Sequence, residues 1–279
     1  MNASRAPELR LEGVTYAYPS GVVALDGLDL VVGPGERVAL VGQNGSGKTT
    51  LVRHLNGLLR PASGRVLVGG QPAASRSVAQ LAHLVGLVFQ DPSRQIFAGS
   101  VHAEVEFGPR NLGLRGADLR TAVDAALDRV GLAGEARTNP YDLGESRRKL
   151  LAMASVLAMR TPVLVLDEPT TGQDLRAVAI VRDSVQAAAA EGRTVIAISH
   201  DMEFVAETFD RVVVLRSGRV ILDGPPADVF GEAGWRALAS TYLEPPAAAR
   251  AGVRLGLGST PSAAALVAAL SGHAGRPAQ

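Results

Sequence analysis

Cysteine is absent from the 279 residues. That excludes a disulfide framework, a cysteine nucleophile and any Cys-ligated zinc or iron–sulfur site, and it suits a reducing compartment. No run of 18 consecutive apolar residues occurs. The longest uncharged run, Leu255 to Gly275, is interrupted by Gly, Ser, Thr, Pro and His and makes a poor bilayer span. The N-terminal stretch MNASRAPELRLEG has no apolar core of a signal peptide. A soluble chain is expected, with any membrane role exercised through a partner. Charge of one sign is missing too: 28 Lys and Arg face 27 Asp and Glu, a net +1. Nothing here supports binding nucleic acid through bulk charge. Lysine itself is nearly absent, with Lys48 and Lys149 the only two among the 28 basic residues. Where a compact ammonium must fit a tight cradle, Arg does not replace it, so both positions stand out. The length suffices for one large domain, or one domain plus a small one, with a core needing no disulfide or structural metal.

Along the chain, residues 9–32 alternate apolar and polar, with turn signals at Pro19-Ser20-Gly21 and Asp26-Gly27, and read as short antiparallel strands. Residues 35–41 form a short apolar strand entering a Gly-rich turn. From Lys48 to Arg60, Leu51, Val52, Leu55, Leu58 and Leu59 recur at helical spacing. Residues 65–68 and 83–89 read as strands, and residues 91–160 as mostly helical. Residues 163–166 and 195–198 are wholly apolar, as in parallel strands buried on both faces, with a helix over 174–191 between them. A hairpin follows over 212–222. The expected fold is α/β: a mixed core sheet, an N-terminal antiparallel β part and a helical subdomain at about 91–160. The main domain covers 1–230, and 231–279 form a small C-terminal domain or tail.

Gly42-Gln43-Asn44-Gly45-Ser46-Gly47-Lys48-Thr49 matches the phosphate-binding pattern G-x-x-x-x-G-K-[ST], between a strand and a helix as the pattern requires. Its glycines let successive backbone N–H groups turn inward onto phosphate oxygens, and the following helix adds its positive end. Lys48 reaches the β- and γ-phosphates of a nucleotide, and the Thr49 hydroxyl binds Mg²⁺. The strand 163–166 ends in Asp167-Glu168. Asp167 is suited to holding a metal-bound water and Glu168 to deprotonating an attacking one, which separates metal binding from base chemistry. Gln90 and His200 each follow a strand, and Tyr18 could stack on a purine. Taken singly, these three are better read as loop-facing polar residues or a core aromatic. The remaining histidines read as structural or surface residues.

In this order the motifs resemble the ATP-binding cassette (ABC) ATPases over about residues 8–225. The resemblance implies Tyr18 as the adenine-stacking aromatic and residues 42–49 as the Walker A motif, with Thr50 beside it. It also implies Gln90 as the Q-loop (a Mg²⁺ and water contact), Asp167 and Glu168 as the Walker B end and catalytic glutamate, Asp174 as the D-loop and His200 as the switch histidine. Residues 85–97, 107–114 and 209–230 are similar to the cobalt and energy-coupling-factor importer ATPases. That implies ATP and Mg²⁺ as cofactors, peripheral placement on the cytoplasmic side of the cell membrane, an integral membrane partner, and a vitamin or transition-metal ion as cargo. Ile96 and Phe97 are then expected to help form an apolar groove for a membrane subunit's helix.

One departure is large. The family's signature Leu-Ser-Gly-Gly-Gln falls, without gaps, on Leu143-Gly144-Glu145-Ser146-Arg147. The resemblance places this segment against the γ-phosphate held by a second cassette. Glu145 would bring a carboxylate towards it, at roughly 1–3 kcal/mol for like charges about 5 Å apart, with Arg147 offsetting part of the cost. A second ATPase chain with an intact signature, in a heterodimer, is the expected partner. Two other readings remain open: a nucleotide-binding regulatory cassette with little turnover, and a soluble ABC ATPase outside transport.

Overall fold

The computed structural model describes residues 6–274. The chain opens with β1 (Leu9–Ala17) and β2 (Val23–Val32), paired antiparallel. The expected turn at Asp26-Gly27 is instead a β-bulge inside β2. The register moves from Val14↔Leu28 to Tyr16↔Leu25, and Gly27 supplies the positive φ (62°) that the extra residue needs. β3 (Arg37–Val41) leads into α1 (Lys48–Leu55). This helix stops five residues short of the expected Arg60, because Asn56 caps it and Gly57 turns the chain at φ 76°. β4 (Ser63–Val68), β5 (Gln71–Pro72) and α2 (Val78–Ala82) follow, then β6 (Val85–Val88).

Residues 91–160 carry α3 (Val101–Asn111), α4 (Gly116–Arg129) and α5 (Glu145–Leu157), and so are mostly helical as expected. The strand–helix alternation resumes with β7 (Val163–Asp167), α6 (Leu175–Ala190), β8 (Thr194–Ile198) and α7 (Met202–Thr208), then the hairpin β9 (Arg211–Arg216) and β10 (Arg219–Gly224). Four helices follow: α8 (Pro226–Val229), α9 (Trp235–Ala239), α10 (Ala247–Arg254) and α11 (Ala263–Ala274). The last five residues of the expected C-terminal segment, 275–279, lie outside the described residues.

Two sheets form. The first is antiparallel in the order β2-β1-β4-β5. The second has the order β10-β9-β3-β8-β7-β6 and is parallel except for the β10–β9 pair. Each parallel strand feeds both of its faces. Ala39, Val41, Leu164, Leu166 and Ala197 enter the core shared with α3–α7. Val38, Leu40, Val163, Val165 and Ile196 enter the core shared with α1 and the antiparallel sheet. Burial on both sides explains why these strands read as unbroken apolar runs. The C-terminal segment joins the first of these cores through Leu238 and Ala249, alongside Val229 and Phe230 just before it.

Candidate functional site

The C-terminal tips of β3, β6, β7 and β8 converge on one cleft of about 420 Å³, lined by Tyr18, residues 44–50, Gln90, Asp167, Glu168 and His200. Ligands of open α/β sheets collect at this edge. Glycine is required in its floor. A Cβ on Gly42 (φ 146°) would lie 2.2 Å from the Leu215 carbonyl oxygen, and one on Gly47 (φ 105°) 2.4 Å from that of Ala24. The loop folds around Lys48, whose ammonium donates to the carbonyls of Gly42 (2.6 Å) and Gln43 (2.9 Å). Burial lowers the proton affinity of Lys48, and the charges of Glu168 and Asp167 counteract it.

The Thr49 hydroxyl donates to Asp167 Oδ2 at 3.1 Å. Burial raises the pKa of Asp167, the Thr49 hydrogen bond lowers it, and the neighbouring Glu168 raises it again. Thr49, Asp167 and Gln90 offer a hydroxyl, a carboxylate and an amide to the same cleft. No group of three or more His, Cys, Asp or Glu suited to a metal occurs among the described residues. Few, hard oxygen donors fit Mg²⁺, which takes its other ligands from phosphates and water.

Glu168 is 5% exposed and has φ 53°, a left-handed backbone rare for a non-glycine residue. Its N–H donates to the Ile198 carbonyl (3.0 Å). Oε1 lies 3.0 Å from His200 Nε2, and Oε2 accepts the Thr171 hydroxyl at 3.1 Å. Tyr18 is tied through its hydroxyl to Thr50 Oγ1 (2.9 Å) and packs edge-on against Tyr16. Tyr16 in turn packs on buried His54, whose Nδ1 faces the Thr50 carbonyl at 2.7 Å. Sequence reasoning did not assign four members of the cleft to it: Val22, Ala24, Thr171 and Ile198. Val22, 61% exposed, extends the wall beside Tyr18, and its one signal was an exposed apolar residue four positions beyond that aromatic. Thr171 lies three residues beyond the glutamate, and nothing in the sequence marked it.

The altered signature stands apart from this cleft. Gly144 caps α5 without a side-chain bond and Glu145 is the helix's first residue, so the segment does open a helix. Leu143 is buried. Ser146 hydrogen-bonds the Gln173 side chain, which donates back to the Ser146 carbonyl (3.3 Å). Arg147 is engaged by Glu135 (2.5 Å) and donates to the Gly131 carbonyl (3.3 Å). Asp174 caps α6 by accepting from Ala177 N (2.8 Å), and it lines a separate hollow with Ser146 and Arg147. Nor do Ile96 and Phe97 share a groove. Ile96 (3% exposed) belongs to the helical core, pulled in as its N–H bonds the Pro92 carbonyl. Phe97 (59% exposed) lines a groove of about 440 Å³ opposite Phe107, with ring centroids 4.7 Å apart.

The profile of the family described as ABC transporter matches residues 25–171. A putative ABC transporter ATP-binding protein of Methanosarcina acetivorans is 42% identical over 244 residues, 88% of this chain. The chain spans only 39% of that relative's length. The energy-coupling factor transporter ATP-binding protein EcfA of Methanothermobacter thermautotrophicus is 40% identical over 228 residues, 81% of this chain and 73% of that protein. Among solved structures, cbiO1 of Clostridium perfringens, part of the ABC transporter complex cbiONQ, superposes with a TM-score of 0.72 at 37% identity, covering 83% of this chain and 94% of that one. With a phosphate loop, a buried carboxylate pair and a histidine gathered on one sheet edge, and with these relatives, the chain belongs to the ABC transporter family of ATP-binding, ATP-hydrolysing cassettes.

Proposed function

We propose that this chain hydrolyses ATP to drive a membrane importer of the energy-coupling-factor type, carrying a vitamin or transition-metal ion. The observation that carries this reading is the placement of Glu168 and His200, 3.0 Å apart, in the cleft that holds Lys48 and Thr49. In it Glu168 takes the proton of the attacking water. His200 and Lys48 stabilise charge on the γ-phosphate, the loop N–H groups cradle the phosphates, and Tyr18 and Val22 receive the purine. Thr49, Asp167 and Gln90 would hold Mg²⁺, which would supply charge neutralisation for the phosphates. The Phe97–Phe107 groove receives a membrane subunit's helix. Residues 231–279 serve as a small C-terminal domain, and the chain works from the cytoplasmic face.

The altered signature supports pairing with a second, different cassette. That partner's signature completes the site built on Lys48 and Glu168, while Glu145 of this chain weakens the other site. A second reading, a regulatory cassette with little turnover, draws on the same Glu145. Steady-state ATPase assays of the complex with its membrane partners decide between them. Lys48→Ala is expected to abolish nucleotide binding. Glu168→Gln is expected to retain binding and lose turnover by about 10²-fold or more. Unsubstituted complex that binds ATP without hydrolysing it favours the regulatory reading, and Glu168→Gln at full rate defeats the base assignment.

A further inference from the structure

Lys149 is the second of the two lysines, and the chemistry above leaves it unused. It lies on α5, four residues after Glu145, where a helical ion pair is geometrically favourable. Among the described residues no such pair forms. The ammonium instead donates to the Thr171 backbone carbonyl at 2.5 Å. Thr171 in turn donates its hydroxyl to Glu168 Oε2. Thr171 is exposed, so water could satisfy that hydroxyl. Its bond to a buried carboxylate is therefore not forced by burial.

We propose that Lys149 and Thr171 are positioning residues for the general base: the lysine anchors the loop by its carbonyl, and the threonine hydroxyl fixes the carboxylate. Glu168 needs such holding. Its backbone sits at φ 53°, and a glutamate side chain left untethered has three rotatable bonds over which to lose aim. With Oε2 held by Thr171, Oε1 is the oxygen presented beside His200 Nε2. A base works only within hydrogen-bond reach of the proton it takes, so fixing one oxygen aims the other. The Ser146–Gln173 pair ties the same loop to the same helix two residues further on. The loop that holds the base thus hangs from the helix carrying the altered signature.

This inference rests on Glu168 being the general base, and the test separates the two. Single-turnover and steady-state ATPase are measured on the full chain assembled with its partners, alongside binding of a fluorescent ATP analogue. Thr171→Val is expected to lower kcat about tenfold with KM for ATP within about twofold, and Thr171→Ser to restore kcat. Lys149→Met, an independent variant on α5, should lower kcat in the same direction with nucleotide affinity unchanged. A purely structural role would lower the melting temperature while leaving kcat intact, and that outcome overturns the proposal. So does Thr171→Ser as slow as Thr171→Val. Glu168→Gln is the control. If it is inactive while Thr171→Val and Lys149→Met run at full rate, positioning falls and the base assignment stands. If it hydrolyses normally, or if the unsubstituted complex does not hydrolyse ATP, both fall.

Discussion

Burial of the Asp167 carboxylate comes at some cost to the fold. Its pKa is raised in the folded chain, mainly by burial. A carboxyl with a raised folded pKa favours the native state while protonated. That contribution is complete below its unfolded pKa and is lost as pH rises through the folded one. At neutral pH the ionised Asp167 therefore opposes folding of the nucleotide-free chain. Asp167→Asn, which keeps an acceptor for the Thr49 hydroxyl, should raise the melting temperature at pH 7 by the equivalent of about 0.5–2 kcal/mol. The gain should vanish at pH 3, and Mg²⁺-dependent nucleotide binding should weaken throughout. Thermal melts at the two pH values check this, and an Asn variant less stable at pH 7 refutes it. Asp167 and Lys48 could be recognised from the sequence because their surroundings are contiguous: an apolar strand, a turn, a charged tip. Thr171 and the partner of Lys149 could not, because 22 residues separate that contact along the chain and only the packing of α5 against the loop creates it.

At the scale of elements, α5 sets a conflict between stability and catalysis. Glu145 at its first position favours the helix's positive end by about 0.3–1 kcal/mol, yet in the proposed pairing it would bring a like charge to the partner's phosphate. The triple change Gly144→Ser, Glu145→Gly and Ser146→Gly should raise the ATPase rate of the isolated chain while lowering its melting temperature. An unaltered rate would show that Gly144-Glu145-Ser146 works as it stands. The helices and parallel strands were legible because periodicity and double-sided burial leave strong patterns. In the failures one signal was overruled by another, either by packing or by a stronger local stop. Asp26-Gly27 is turn chemistry spent on a bulge. Leu58 and Leu59 continue a helical spacing, but Gly57 has already ended the helix, and Leu58 lines the groove instead. Ile96 and Phe97 are neighbours sent to opposite sides of the chain.

Over the whole molecule, Phe97 (59% exposed) and Phe107 (48% exposed) form an apolar patch on the surface, the feature on which the proposed docking of a membrane subunit rests. Beneath them the groove is firm. The buried carboxylate of Glu104 accepts from Phe97 N (3.0 Å) and Ala98 N (2.8 Å), and Gln95 joins Phe89 N to Ala152 O and Ser155 Oγ. The double change Phe97→Ser and Phe107→Ser should therefore leave nucleotide binding intact and abolish assembly with the membrane subunit in a pull-down. Normal assembly would dismiss the groove.

The six-stranded sheet is a party wall. Val163 and Val165 furnish one room, Leu164 and Leu166 the other, and all four are fully buried. Along its central strands β7 and β8 such a wall has no face to spare for a ligand. Only at the rim of those strands do side chains reach open space, and there Asp167 and His200 stand at or just past the ends of β7 and β8. The chemistry sits on the coping because the masonry is occupied on both sides.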